Sequence, residues 1–138
     1  SRKDTFAANV NSYISAAKTD ALSEWATKGT GVTVIYSVKG GVVKTVDDDE
    51  DDDIIEVVEN FGIDVFTEGQ ITIVVNKEGK ITKITLITPF QSENYKLNKD
   101  PNTPIYIFDE ETNKVTTDIL PFTRDDIEKV GYTESAKG

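Results

Sequence analysis

The sequence predicts an α+β domain in which a long N-terminal helix packs on an antiparallel β-meander sheet, followed by a loop-rich C-terminal region. Residues 4–26 carry large or apolar side chains at helical spacing. After Gly31 the pattern changes to runs of β-branched residues separated by turn signals. The 138 residues contain no repeat or linker, so we expect one domain over 1–138, with the helix in 1–28 and the sheet and loops in 32–138.

The N-terminal helix is expected to run for about six turns and to end at Gly29 and Gly31. Its many alanines favour the helix and allow a second helix or a sheet to approach closely. Leu22 is also among the large or apolar residues that follow this spacing. The seven residues that we expect to form the core-facing stripe, or to pack against other subunits, are Phe6, Val10, Tyr13, Ile14, Ala17, Ala21 and Trp25. For Tyr13 and Trp25 we favour the core over a ligand platform.

The next segments are predicted to be strands 32–38 and 42–46, joined by a turn at Gly40-Gly41. Residues 54–61 have apolar side chains at helical spacing, so we predict a helix capped by Asp53 and ended by Gly62. A strand is the alternative for this segment.

The rest of the chain is predicted to contain two hairpins. The first pairs 70–76 with 80–88 and ends at Pro89, and a loop over 91–104 follows. The second pairs 105–108 with 114–117 around a turn. Thr123 is expected to cap a short helix over 124–130, and the tail after Gly131 is expected to be mobile.

The composition excludes several kinds of chemistry. The chain has no Cys and no His, which excludes disulfides, thiolate or imidazole metal ligands, and a Ser–His–Asp triad. The acidic pairs in 109–111 and 125–126 are interpreted as turn and cap residues, because a glycosidase needs two carboxyl groups across a cleft. The net charge of −10 disfavours nucleic-acid binding. We therefore expect no enzyme activity and no cofactor.

A run of seven carboxylates is the one candidate metal site, and we interpret it first as a solvated loop. Weak Ca²⁺ binding and a protein-recognition patch are the alternatives, although the run lacks the central Gly and the alternating spacing of an EF-hand loop. The residues of this run are Asp47, Asp48, Asp49, Glu50, Asp51, Asp52 and Asp53. A role of Tyr95, Tyr106 or Tyr132 in stacking on carbohydrate is a weaker possibility.

The first 25 residues resemble a known family. The stretch RKDTFAANVNSYISAAKTDAL is similar to the part of Gram-positive type IV pilins that directly follows the membrane-spanning half of their N-terminal helix. The residues that carry this resemblance are Arg2, Lys3, Phe6, Tyr13, Ile14, Ala16, Ala17 and Ala21. The family's processing site and long apolar run are not in this sequence, and no run approaches the ~20 apolar residues of a membrane span. We therefore interpret the start at Ser1 as a cut within a longer protein.

The resemblance implies a structural subunit of an extracellular pilus-like filament that serves adhesion, motility or a related task. A precursor would be anchored in the cell membrane by the missing helix, and pilus assembly machinery would polymerise it with copies of itself. The fragment alone is expected to be monomeric. A pseudopilin of a secretion or DNA-uptake machine and an extracellular non-catalytic binding module are the alternatives.

Overall fold

The computed structural model describes residues 1–38, 42–46, 54–58 and 60–131, with 42–46, 54–58 and residue 60 described as backbone. A single N-terminal helix packs on one face of an antiparallel sheet, which confirms the predicted α+β class. The turn at Gly40-Gly41, the run 47–53 with the Asp53 cap, and the tail 132–138 lie outside the described residues.

Helix α1 spans Arg2–Lys28, so the predicted helix is confirmed. Ser1 caps its start, because the Ser1 hydroxyl accepts a hydrogen bond from Asp4 N while the Asp4 carboxylate reaches back to the cap. Gly29 ends it in the left-handed conformation with φ 76°, and Gly29 N donates to Trp25 O at 2.8 Å.

The described residues form nine strands in one sheet. Their bounds are β1 Val32–Ser37, β2 Val42–Val46, β3 Ile54–Val58, β4 Glu68–Val75, β5 Ile81–Gln91, β6 Tyr95–Leu97, β7 Thr103–Asp109, β8 Lys114–Asp118 and β9 Ile127–Lys129. The order along the sheet is β3-β2-β1-β4-β5-β6-β9, and β7 pairs with β5 and with β8. Both predicted hairpins, β4–β5 and β7–β8, are confirmed.

The prediction that residues 54–61 form a helix is wrong, and the alternative strand is confirmed for part of the segment. β3 pairs antiparallel with β2, and a short 3-10 turn over Asn60–Gly62 follows. The strand has four β-branched residues out of five, and such residues lose side-chain freedom in a helix and suit a pleated strand. The apolar residues of this segment have helical spacing, but the segment forms a strand because it pairs with β2.

The prediction that Pro89 ends its strand is also wrong, because β5 continues to Gln91. The register between β4 and β5 shifts twice near Gln70, once between Glu68 and Gln70 and again between Gln70 and Ile71. Pro89 lies in this irregular stretch, where its missing N–H removes no regular ladder bond. The strand therefore passes through the proline.

The C-terminal region contains more strand than predicted. The predicted loop 91–104 includes β6 and the first residues of β7. The predicted helix 124–130 is a 3-10 turn over Arg124–Asp126 followed by β9, which pairs with β6. The Thr123 cap itself is confirmed, since Asp125 N donates to Thr123 Oγ1 at 3.3 Å. Strands of three residues are too short to give a detectable sequence period.

The core lies between α1 and the sheet and is rich in aromatic side chains. Tyr13 contacts Phe61 and Phe90 edge-on, with ring centroids 5.1 and 4.9 Å apart. Phe66 lies against Phe90 and against Phe6, at 5.0 and 5.6 Å. These rings connect α1, the sheet and the segment between β3 and β4 into one cluster.

Candidate functional site

The apolar stripe of α1 is buried against the chain's own sheet. Of the seven predicted residues, six are at most 4% exposed and Trp25 is half-buried. The core alternative is therefore confirmed for Tyr13, and these six side chains are not available to another subunit. Leu22, which the sequence placed near the stripe, is instead 37% exposed.

Trp25 fastens the end of α1 to the turn between β4 and β5. The indole Nε1 donates to Lys77 O at 3.0 Å. The ring lies on Gly79, where a Cβ atom would meet the indole at 2.7 Å. The turn is itself ordered by Asn76, whose Oδ1 accepts from Glu78 N and Lys80 N at 3.0 and 2.9 Å.

Asn11 fastens the middle of α1 to the C-terminal segment. Its Nδ2 donates to Phe122 O at 2.9 Å, and Phe122 N donates to its Oδ1 at 2.9 Å. The Phe122 side chain is 2% exposed. No local pattern in the sequence indicates this pair of bonds, because the two residues are 111 positions apart.

The side of α1 opposite the sheet carries a column of exposed residues with no charge. The column follows alternating steps of three and four positions, so it stays on one face for the length of the helix. Its members are Thr5, Ala8, Ser12, Ser15, Thr19, Leu22 and Ala26, which we call the uncharged column. The spacing of these small residues is present in the sequence, and the fold shows that they share one exposed face.

The two threonines of the uncharged column turn their hydroxyls inward. Thr5 Oγ1 donates to Ser1 O at 3.2 Å, and Thr19 Oγ1 donates to Ser15 O at 3.3 Å. Each hydroxyl thus donates its hydrogen bond to a helix carbonyl one turn earlier. The column is therefore smoother and less polar than its composition alone suggests.

A groove flanks the column on each side. The first, about 220 Å³, lies at the start of α1 beside Val65 and Tyr95, and Arg2 is on its rim. The second, about 260 Å³, lies between α1 and the Leu120-Pro121 segment, with Lys18 on its rim. Neither groove is lined by a carboxylate, so the charged side chains in their linings are the cations Arg2 and Lys18.

Two tyrosine hydroxyls are buried under the helix. Tyr36 Oη donates to Asp20 Oδ2 at 2.7 Å, whereas Tyr13 Oη has no hydrogen-bond partner among the described residues. Burial raises the pKa of the Tyr13 hydroxyl above its ordinary value. Burial, reinforced by the hydrogen bond to Asp20, raises the pKa of Tyr36 as well.

The other candidate residues have structural partners or lie outside the described part. Asp109 Oδ1 accepts from Glu111 N at 2.9 Å, and Glu110 Oε2 accepts from Asn76 Nδ2 at 2.9 Å, so this acidic cluster is a turn, as predicted. Tyr95 and Tyr106 pack partly against the core. Within the described ranges no three acidic residues come together as metal ligands, and the run 47–53 is not among them.

Comparison with protein families, curated proteins and solved structures finds no match to this chain. Within the described residues, no helix combines the length and the apolar character needed to cross a bilayer. The fold therefore defines a helix-on-sheet α+β protein. A fold of this class does not determine function, so the exposed surface of α1 is the candidate functional site.

Proposed function

We propose that this chain is the globular part of a structural, non-catalytic subunit of an extracellular, pilus-like filament. The uncharged column carries this proposal. In a chain with 29% charged residues and a net charge of −10, the exposed face of a 27-residue helix would ordinarily be charged. Here seven successive column positions carry no charge, over a length of about 30 Å.

The small size of these residues supports helix packing against a neighbouring copy. Thr, Ser and Ala have short side chains, so a different surface of the neighbouring copy can approach the axis of α1 closely. An uncharged contact also avoids electrostatic repulsion between the charged surfaces of two acidic copies. The resemblance of residues 2–21 to type IV pilins agrees with this proposal, because the resemblance lies on the same helix.

The roles of the two helix faces are distinct in this proposal. The stripe facing the sheet holds the domain together, and the uncharged column contacts other subunits. The six buried residues of the stripe therefore pack within the domain, and the uncharged column takes the role in subunit packing that the sequence suggested for them. A repeated contact of this kind between unlike surfaces would extend into a filament.

The proposal is tested in the native protein, produced in its own cells. Ser12→Arg places a long cation in the middle of the uncharged column, and Thr112→Arg places the same cation in the exposed turn after β7. Filaments sheared from the cell surface are counted by electron microscopy, and the melting temperature of each purified domain checks folding. We expect Ser12→Arg to remove most filaments and Thr112→Arg to leave them, with both domains folded.

Two results would overturn the proposal. One is an unchanged number of filaments in the Ser12→Arg strain. The other is the absence of the native protein from sheared surface material, which would favour a monomeric binding module. Short assemblies that stay at the membrane would instead indicate a pseudopilin. The sequence encoded before Ser1 gives an independent check, since a pilin-like subunit requires an apolar helix of about 20 residues there.

A further inference from the structure

A short segment between β3 and β4 covers one flank of α1. We call residues 60–67 the aromatic lid. Phe66 belongs to the core, and the side chains of Phe61 and Ile63 pack against it. Its last residue joins it to the sheet, because Thr67 N donates to Gln91 O at 2.7 Å. A short surface segment between two strands can open locally without the rest of the fold.

Two unfavourable features meet where the lid touches the helix. Phe61 has φ 50° and ψ 31°, a left-handed conformation that is costly for a residue with a Cβ atom. Its ring contacts Tyr13, whose hydroxyl is fully buried and has no hydrogen-bond partner among the described residues. A buried, unpaired hydroxyl regains hydrogen bonds when water reaches it. Both features therefore favour opening at the same contact.

We propose that the aromatic lid is a conformational device that opens as a unit while α1 and the rest of the sheet stay folded, and bares the Tyr13 flank of the helix. The rings of Phe61 and Phe66 hold the lid closed. The left-handed Phe61 and the unpaired Tyr13 hydroxyl keep the closed state only slightly favoured. This inference goes beyond the proposed function and does not depend on it.

Hydrogen exchange of two amides in the intact chain tests the proposal. The Thr67 amide reports on the lid, and the Ile73 amide, in the middle of β4 between β1 and β5, reports on the body of the sheet. We expect Thr67 to exchange faster than Ile73. Tyr13→Phe removes the unpaired hydroxyl and keeps the ring, so Thr67 exchange should slow by roughly 5- to 30-fold.

Tyr36→Phe is the matched control, because it removes a buried hydroxyl that donates to Asp20. We expect it not to slow Thr67 exchange. Equal exchange rates of Thr67 and Ile73 in the unmodified chain would overturn the proposal, because the lid would then open only with the whole fold. Unchanged or faster Thr67 exchange in Tyr13→Phe would also overturn it, as would equal slowing by both substitutions.

Discussion

The bond pair between Asn11 and Phe122 gives the most direct test of how the C-terminal segment is held. Asn11→Leu replaces the amide by an apolar side chain of similar size. It removes both hydrogen bonds and leaves Phe122 N and Phe122 O without their partner. The sheet and the apolar stripe of α1 are not touched by this change.

The expected loss follows from the number of groups left unpaired. A buried polar group that loses its hydrogen bond costs about 1–3 kcal/mol. Two such groups are affected here, but the site is only partly buried, so water can reach them in part. We therefore expect the free energy of unfolding to fall by about 2–4 kcal/mol.

Urea unfolding followed by circular dichroism measures this loss, and Ser12→Ala is the control. Ser12 is the next residue of the same helix and is exposed, so its replacement by Ala should change stability by less than about 0.5 kcal/mol. Asn11→Asp separates the two bonds, because it keeps the acceptor for Phe122 N and loses the donor to Phe122 O. If Asn11→Leu unfolds at the same urea concentration as the control, the bond pair does not hold the segment.

Two further predictions concern the packed turn and the buried hydroxyls. Gly62→Ala and Gly79→Ala both place a Cβ atom at positive φ, but only at Gly79 would that atom meet the Trp25 ring, at 2.7 Å. Gly79→Ala should therefore cost about 1–3 kcal/mol more and shift Trp25 fluorescence, and equal losses in urea unfolding would contradict this. Above pH about 10 the unfolded chain ionises its tyrosines while folded Tyr13 and Tyr36 stay neutral. Each should then lower the free energy of unfolding by about 1.4 kcal/mol per pH unit, and Tyr36→Phe should reduce the slope measured by urea unfolding at alkaline pH.

The sequence predicts those elements whose signal is local and repeated. Helix α1 repeats its apolar stripe over many turns, and the β4–β5 hairpin combines alternating β-branched residues with a Gly-containing turn, so both follow from the sequence. β6 and β9 pair with each other across a gap in sequence, and neither is long enough to show a period. Such strands form because they pair with each other, and the local sequence does not show which segments will pair.

The candidate site divides in the same way. The stripe from Phe6 to Ala21 is predictable, because burial and spacing go together in an amphipathic helix. The Asn11–Phe122 pair and the Trp25–Lys77 bond are not predictable, because each joins distant parts of the chain. Leu22 is an exception to this pattern, since its apolar side chain lies on the exposed side of α1. Only the three-dimensional packing of α1 decides which face is covered.

The two faces of α1 make folding and assembly separable by mutation. Substitutions in the buried stripe, such as Val10→Ala, create cavities and should weaken the domain whatever its function. Substitutions in the uncharged column, such as Ser12→Arg, leave the core contacts intact because the side chain points away from the sheet. Folding alone does not require seven uncharged positions on a solvent-facing helix surface of an acidic protein. A second surface that packs on this column would require them, and this difference is the physical basis of the proposed filament contact.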